Sequence, residues 1–299
     1  MRFFQAVCKD FQMTQYRLET GICQVFQSSD PDDLKEFIRI IHGFYSRMRR
    51  PMPWRDEITP YRVVVSELML QQTQVPRVME KFPLFISRFP DFSTLAHAPL
   101  TDVLEAWQGL GYNRRAKYLH SLARFVVQDR DGILPTEPEI LVTLPGIGKA
   151  TAGSIAAFAF NKPVVFIETN IRRVFIHHFF ADRSKIADSD IQPLVEKTLD
   201  RKNPREWYYA LMDYGTWLAR RVENPNRKSR HYSRQSAFEG SDRQIRSLLL
   251  RRLLEEKRIH IGDLISRSGE DTQRVRRILA GMIQEGLLCE SGGFVRVAE

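Results

Sequence analysis

The sequence predicts an all-α fold with a smaller C-terminal module of helices and one hairpin. From Asp32 to about Leu218 the apolar residues recur at helical spacing, and no alternating strand pattern interrupts them. Short polar breaks separate these segments, as between packed helices. Beyond a basic, aliphatic-poor stretch the order becomes helix, helix, helix and hairpin. With 299 residues the chain is long enough for two domains and a sizeable core.

Residues 1–31 read as an N-terminal extension. In the helical domain, residues 32–220, the stretch from Asp33 to Tyr45 repeats its apolar positions at helical spacing behind an Asp-rich start. Pro60 opens the next helix, where a missing N–H costs nothing. Phe92-Ser-Thr and Pro99-Leu-Thr supply two further starts, and an amphipathic segment through Glu105 ends at Gly109-Leu-Gly. Residues 221–241 contain Asn224-Pro-Asn-Arg-Lys-Ser-Arg-His-Tyr-Ser-Arg and read as a basic loop or linker. In residues 242–299, helices from Gln244 to Glu256, from Ile261 and from Asp271 to Gly286 precede a hairpin around Ser291-Gly-Gly. That is the order of a winged helix-turn-helix.

A net charge of +9 favours a polyanionic partner. No run of about 18 apolar residues exists to span a membrane, and the charged start does not suit a signal peptide. A cytoplasmic, nucleoid-associated location is expected. The three cysteines, Cys8, Cys23 and Cys289, form no CxxC pair, and the seven histidines show no HExxH spacing, so no metal site is expected.

Two regions carry chemistry. Leu144-Pro-Gly-Ile-Gly-Lys-Ala-Thr-Ala-Gly153 places a Pro-Gly-x-Gly turn before a helix, where unpaired backbone N–H groups can hold a phosphate. Gly146 and Gly148 would also suit a plain tight turn. In Pro60–Val75, Glu67 shares a helix face with Val63, Val64 and Leu70. A carboxyl group among aliphatic side chains tends to stay protonated, which suits a general acid; an ion-paired surface glutamate fits the same pattern. Glu168 opens a later helix, where the dipole favours a carboxylate that can be a cap and nothing more. A phosphate clamp and a nearby acid together suggest chemistry on nucleic acid.

Four segments occur in one family's order between about Phe37 and Leu218. They are Ser66-Glu-Leu-Met-Leu-Gln-Gln-Thr-Gln-Val75, Gly109-Leu-Gly-Tyr112, the Leu144 to Gly153 string and Glu168-Thr-Asn-Ile-Arg-Arg-Val174. The chain resembles the helix-hairpin-helix DNA glycosylases, and its Gln71 to Gln74 segment is most similar to adenine mismatch glycosylases of MutY type. The resemblance implies a two-lobed helical fold with a DNA cleft, acting as a monomer on double-stranded DNA that holds a mismatched or damaged base. The target nucleotide must leave the stack before a side chain reaches its glycosidic bond. Gly146, Ile147, Gly148, Lys149 and Thr151 match DNA-binding positions. Gln72 and Tyr112 match family positions that fill the gap or probe the opposite strand, and Gln71 and Thr73 are further candidate DNA-binding residues. Glu67 matches the acid that protonates the leaving adenine, and Glu168 the carboxylate that stabilises the oxocarbenium sugar. The implied reaction is hydrolytic removal of adenine opposite guanine or oxidised guanine. Removal of thymine or uracil opposite guanine, or non-catalytic binding of DNA structures, stays open beside it.

Four departures bear on that expectation. Glu168 stands where the family has aspartate, and an oxygen misplaced by about 1 Å can cost on the order of 100-fold in rate. Ala150 replaces the lysine nucleophile of lyase members, so no Schiff base can form there. Ala219 stands at the first cysteine of the family's iron–sulfur cluster, and Arg221 to Arg234 contains none, so no cluster is expected. The Arg, Lys and His residues of that loop are expected to replace its DNA contacts. The Nudix-like domain that reads 8-oxoguanine is replaced by the winged helix, which leaves that preference open. Arg274 and Arg277 on the longer helix of this module are candidate DNA contacts; protein docking or a solvated face fits them equally.

Overall fold

The computed structural model describes residues 23–26, 29–234 and 237–299; most of the 1–31 extension lies outside them. In chain order the helices are α1 (Pro31–Met48), α2 (Pro53–Asp56), α3 (Pro60–Leu70), α4 (Val75–Arg88), α5 (Phe92–His97), α6 (Leu100–Ala106), α7 (Arg114–Asp129), α8 (Pro138–Leu141), α9 (Lys149–Phe160), α10 (Thr169–Phe179), α11 (Asp188–Thr198) and α12 (Pro204–Leu218). The C-terminal module follows as α13 (Asp242–Glu256), β1 (Arg258–His260), α14 (Ile261–Ser266), α15 (Thr272–Gln284), β2 (Leu288–Ser291) and β3 (Phe294–Val297). Three of the starts read from sequence are capped. Asp30 accepts from the N–H groups of Asp32 and Asp33, Thr59 caps the helix that Pro60 opens, and Asp91 caps α5.

The chain divides into two compact units: the described residues up to Arg50 with Asn161–Ser233, and Pro51–Phe160 with Arg234–Glu299. In the first, α1 and α10 pack on α12 around Phe37, Phe175, Trp207 and Tyr214, all buried. Phe26 stacks on Phe179 and fastens to α10, its N–H donating to the His178 carbonyl. The buried Asp213 carboxylate accepts from Arg50 Nε at 2.8 Å. A buried charge needs such a partner.

The basic segment read as a loop has an ordered core. Pro225–Lys228 form a 3-10 turn, and the buried Asn226 donates through Nδ2 to the Thr169 carbonyl at 3.0 Å. Ile186 and Ser229 form an isolated parallel bridge. The polar composition concealed this because the segment is fixed by hydrogen bonds to distant backbone rather than by apolar burial.

In the second unit α3 packs on α9 and α7, and α5 on α7. The C-terminal sheet has the antiparallel order β1-β3-β2, with Ile259 opposite Val295 and Leu288 opposite Val297. Its inner face and the apolar stripes of α13 and α15 bury Leu249, Leu253, Val275, Ile278, Met282 and Val295. Strand β1 was not expected; three residues are too few to display alternation. Among the described residues no helix is long and apolar enough to cross a membrane.

Candidate active site and nucleic-acid interface

The turn from Leu144 to Gly148 joins α8 to α9. Leu144 and Ile147 are buried, and the Ile147 N–H closes the turn on the Leu144 carbonyl at 3.1 Å. Gly146 has φ +78°, and a Cβ there would lie 2.8 Å from Tyr118 Cβ, so both backbone and space require glycine. At Gly148 a Cβ would meet nothing within 4 Å, and Gly148, Lys149 and Ala150 are exposed. The first N–H groups of a helix have no acceptor within it. The sequence therefore buries one side of the hairpin and presents the amide-bearing side to solvent, beside the Lys149 ammonium.

Glu67 lies half-buried on α3, facing α9. The buried Ser154 hydroxyl donates to its Oε2 at 2.5 Å and also contacts the Thr151 carbonyl at 3.0 Å. Four residues on, Gln71 donates through Nε2 to the Gly146 carbonyl at 3.2 Å and to Thr151 Oγ1 at 3.3 Å. Glu67, Gln71, Thr151 and the hairpin thus form one connected group. Gln72 follows, exposed and at φ 55°, a conformation that β-carbons resist. Thr73 donates to the Leu110 carbonyl at 3.1 Å and ties this turn to the Gly109–Tyr112 loop, where Tyr112 has φ 48°.

Sequence reasoning missed the residue that organises these two turns. The Arg115 guanidinium is buried and donates to the carbonyls of Leu68, Met69 and Gln71 at the end of α3. It also reaches Thr73 Oγ1 at 2.9 Å and the carbonyls of Leu110 and Gly111, each at 3.0 Å. Burial pushes its pKa down to about 10, which leaves it charged at neutral pH. Only a planar fork of donors serves so many carbonyls at once. Nothing in its local sequence distinguishes it from its exposed neighbour Arg114.

Glu168, in the first unit, is the N-cap of α10. Its Oε1 accepts the N–H groups of Asn170 at 2.7 Å and Ile171 at 3.0 Å, and its Oε2 meets Asn170 Nδ2 at 3.4 Å. Arg173 fixes Asn170 in turn, donating to Oδ1 at 2.6 Å and to the Gly215 carbonyl at 3.0 Å. A Cβ on Gly215 would lie 2.7 Å from the Asn170 carbonyl oxygen, so α12 approaches this helix start only because that side chain is absent. Burial raises the Glu168 pKa against the two amides and the nearby Arg173 and Arg172, all of which favour the charge. The result is a desolvated carboxyl group whose pKa is raised on balance and whose oxygens are fixed by the helix start.

Arg274 pairs with Asp242 at 2.8 Å and with Glu270 at 3.6 Å, and Arg277 reaches the same Asp242 at 3.0 Å. Both guanidiniums therefore have acidic partners within their own module. Among the described residues no group of three or more His, Cys, Asp or Glu side chains could hold a metal ion. Around the 3-10 turn the side chains are asparagine, arginine and lysine rather than thiolates, a donor set that does not fit an iron–sulfur cluster.

An exposed helix-hairpin-helix turn, an acid on the neighbouring helix and a second acid capping a later helix define a class: a base-excision DNA glycosylase fold. Residues 65–199 match the HhH-GPD superfamily of base excision DNA repair proteins. The chain is 36% identical over 228 residues to the adenine DNA glycosylase of Mycobacterium tuberculosis, covering 70% of this chain and 75% of that protein. It is 36% identical over 183 residues to the adenine DNA glycosylase of Buchnera aphidicola, covering 60% of this chain and 51% of that one. The solved structure of a thermostable thymine-DNA glycosylase superposes with a TM-score of 0.55 at 25% identity, over 62% of this chain and 86% of that one. The chain belongs to the HhH-GPD superfamily and, within it, to the adenine DNA glycosylase family.

Proposed function

We propose that this protein is a monofunctional DNA glycosylase of base-excision repair that removes adenine mispaired with guanine or oxidised guanine. The observation that carries the reading is that each acid the resemblance assigns to the reaction is held by hydrogen bonds, Glu67 by Ser154 and Glu168 by the α10 amides. The hairpin N–H groups of Gly148 and Lys149 grip a DNA phosphate, and the exposed Gln72 fills the space left by the extruded nucleotide. Glu67 delivers a proton to the departing adenine as the glycosidic bond breaks. The electron pair of that bond leaves with the base, and positive charge develops on the sugar. The Glu168 carboxylate stabilises that charge where it forms. Water then adds at the anomeric carbon and loses its proton. With Ala150 where lyases carry an amine, the strand is left uncut at an abasic sugar.

The C-terminal module supports a winged helix-turn-helix reading, since α13, β1, α14, α15 and the β2–β3 hairpin follow in that order with β3 central in the sheet. In this reading the module is a second grip on DNA, with Arg274 and Arg277 as candidate contacts.

Single-turnover base release from duplexes holding A:8-oxoguanine, A:G, G:T and G:U tests the assignment. Adenine release, with the two A-containing duplexes ranked by rate, is the expected result. Release of thymine or uracil alone would overturn the base assignment, and tight binding with no release would leave a DNA-binding protein.

A further inference from the structure

Tyr112 is held by two guanidiniums, and one of them comes from far along the chain. Arg243, on α13, donates through Nη1 to the Tyr112 hydroxyl at 2.7 Å, and its guanidinium carbon lies 5.3 Å from the ring centroid. The Arg115 guanidinium lies 5.4 Å from the same ring. The ring sits on a backbone in the left-handed region, next to the turn that carries Gln72. Two cavities, of about 310 and about 660 Å³, share Gln72, Tyr112, Asn113, Arg243 and Ser247 as lining residues. The Tyr112–Arg243 pair is therefore part of the wall of both. Both volumes fall within the range of about 300–1,000 Å³ usual for ligand sites.

We propose that Arg243 is a positioning residue of the DNA site. By fixing the Tyr112 ring beside the Gln72 turn, it gives the C-terminal module a part in discriminating the base opposite the excised adenine. This inference rests on the adenine glycosylase reading above. Arg243 lies outside the segment that matches the superfamily, which ends at residue 199. Other contacts also join the module to α7: Lys117 donates to the Glu285 carbonyl, and Arg114 pairs with the Glu285 carboxylate at 3.6 Å. A guanidinium over an aromatic face that also hydrogen-bonds its hydroxyl restrains ring tilt and ring position together.

The test is a double-mutant cycle in the full-length chain, read as the ratio of single-turnover rates for A:G and A:C duplexes at saturating enzyme. Arg243→Ala should lower that ratio by about tenfold, the worth of one cation–π contact with its hydrogen bond. Tyr112→Phe should lower it less, and the double variant should be no worse than Arg243→Ala alone. Arg243→Lys should retain most of the ratio. Lys117→Ala, which loosens docking only, should lower the melting temperature and leave the ratio in place. Additive effects of Arg243→Ala and Tyr112→Phe, or an equal loss of ratio in Lys117→Ala, would overturn the proposal and leave Arg243 a docking contact. Absence of adenine release by the wild type would refute the glycosylase reading instead. The same cycle, read as the ratio of Kd values for the two duplexes, would then decide the role of Arg243.

Discussion

Glu67 and Glu168 are two carboxylates held in opposite ways. The Glu67 carboxylate takes a short hydrogen bond from one hydroxyl, Ser154, on a neighbouring helix. A hydroxyl can donate or accept, so it tolerates the carboxyl in either protonation state. The Glu168 carboxylate takes two backbone N–H groups at a helix start and lies near two arginines. Amides and guanidiniums only donate, so they favour the charged form, while burial works against it and raises the pKa. A proton donor needs the first kind of support and a fixed negative charge the second.

Three changes would break or sharpen that contrast. Glu168→Gln keeps the size of the side chain and removes its charge. It should reduce single-turnover base release by about 10²–10³-fold, the usual cost of losing one transition-state electrostatic partner. A loss under tenfold would mean that Glu168 only caps α10. Gly146→Ala places a methyl group 2.8 Å from Tyr118 at φ +78°. Strain of about 1–3 kcal/mol at such a site should displace the hairpin and weaken DNA affinity by at least tenfold, leaving the rate at saturating enzyme nearly unchanged. Ser154→Ala removes the hydroxyl that donates to Glu67 yet leaves the acid in place, so the rate should fall by about tenfold. An unchanged rate in that variant would show that the hydroxyl does not orient the acid.

The smallest effect concerns pH. His178, in the last turn of α10, is buried against Tyr214, and burial pushes its pKa down to about 3. Between about pH 6.5 and 3 the unfolded chain binds a proton there that the folded chain does not, so stability falls on acidification by about 1.4 kcal/mol per pH unit. Glu168 has the opposite sign. Its raised pKa means that the folded chain takes up a proton first, and stability is gained as pH falls through that raised value. Urea unfolding from pH 7 to pH 4 should therefore show a steeper loss in Glu168→Gln than in the wild type. Equal slopes would place the Glu168 titration outside that range.

Much of this was legible in the chain because its physics is local. A Pro-Gly-x-Gly turn, a capping carboxylate and an acid one turn from aliphatic neighbours all declare themselves within a few residues. What escaped depends on long separations. Arg115 binds carbonyls 44 to 47 positions earlier, and Arg243 reaches Tyr112 across 131. No periodicity records such contacts. The buried Asn226 escaped for the same reason, since its backbone acceptor, Thr169, lies 57 positions earlier and a polar residue in a basic stretch otherwise reads as solvated. The acidic partner that Arg274 and Arg277 share was hidden in the same way, because Asp242 lies more than 30 positions away from both.

The most direct measurement is adenine release from an A:G duplex under single turnover at saturating enzyme, with the wild type beside Glu67→Gln. The wild type should release adenine, and the variant should be slower by at least about 100-fold with DNA affinity within a few-fold of wild type. Release at the wild-type rate by Glu67→Gln would contradict the assignment of Glu67 as the acid and, with it, the mechanism built on the contrast between the two carboxylates.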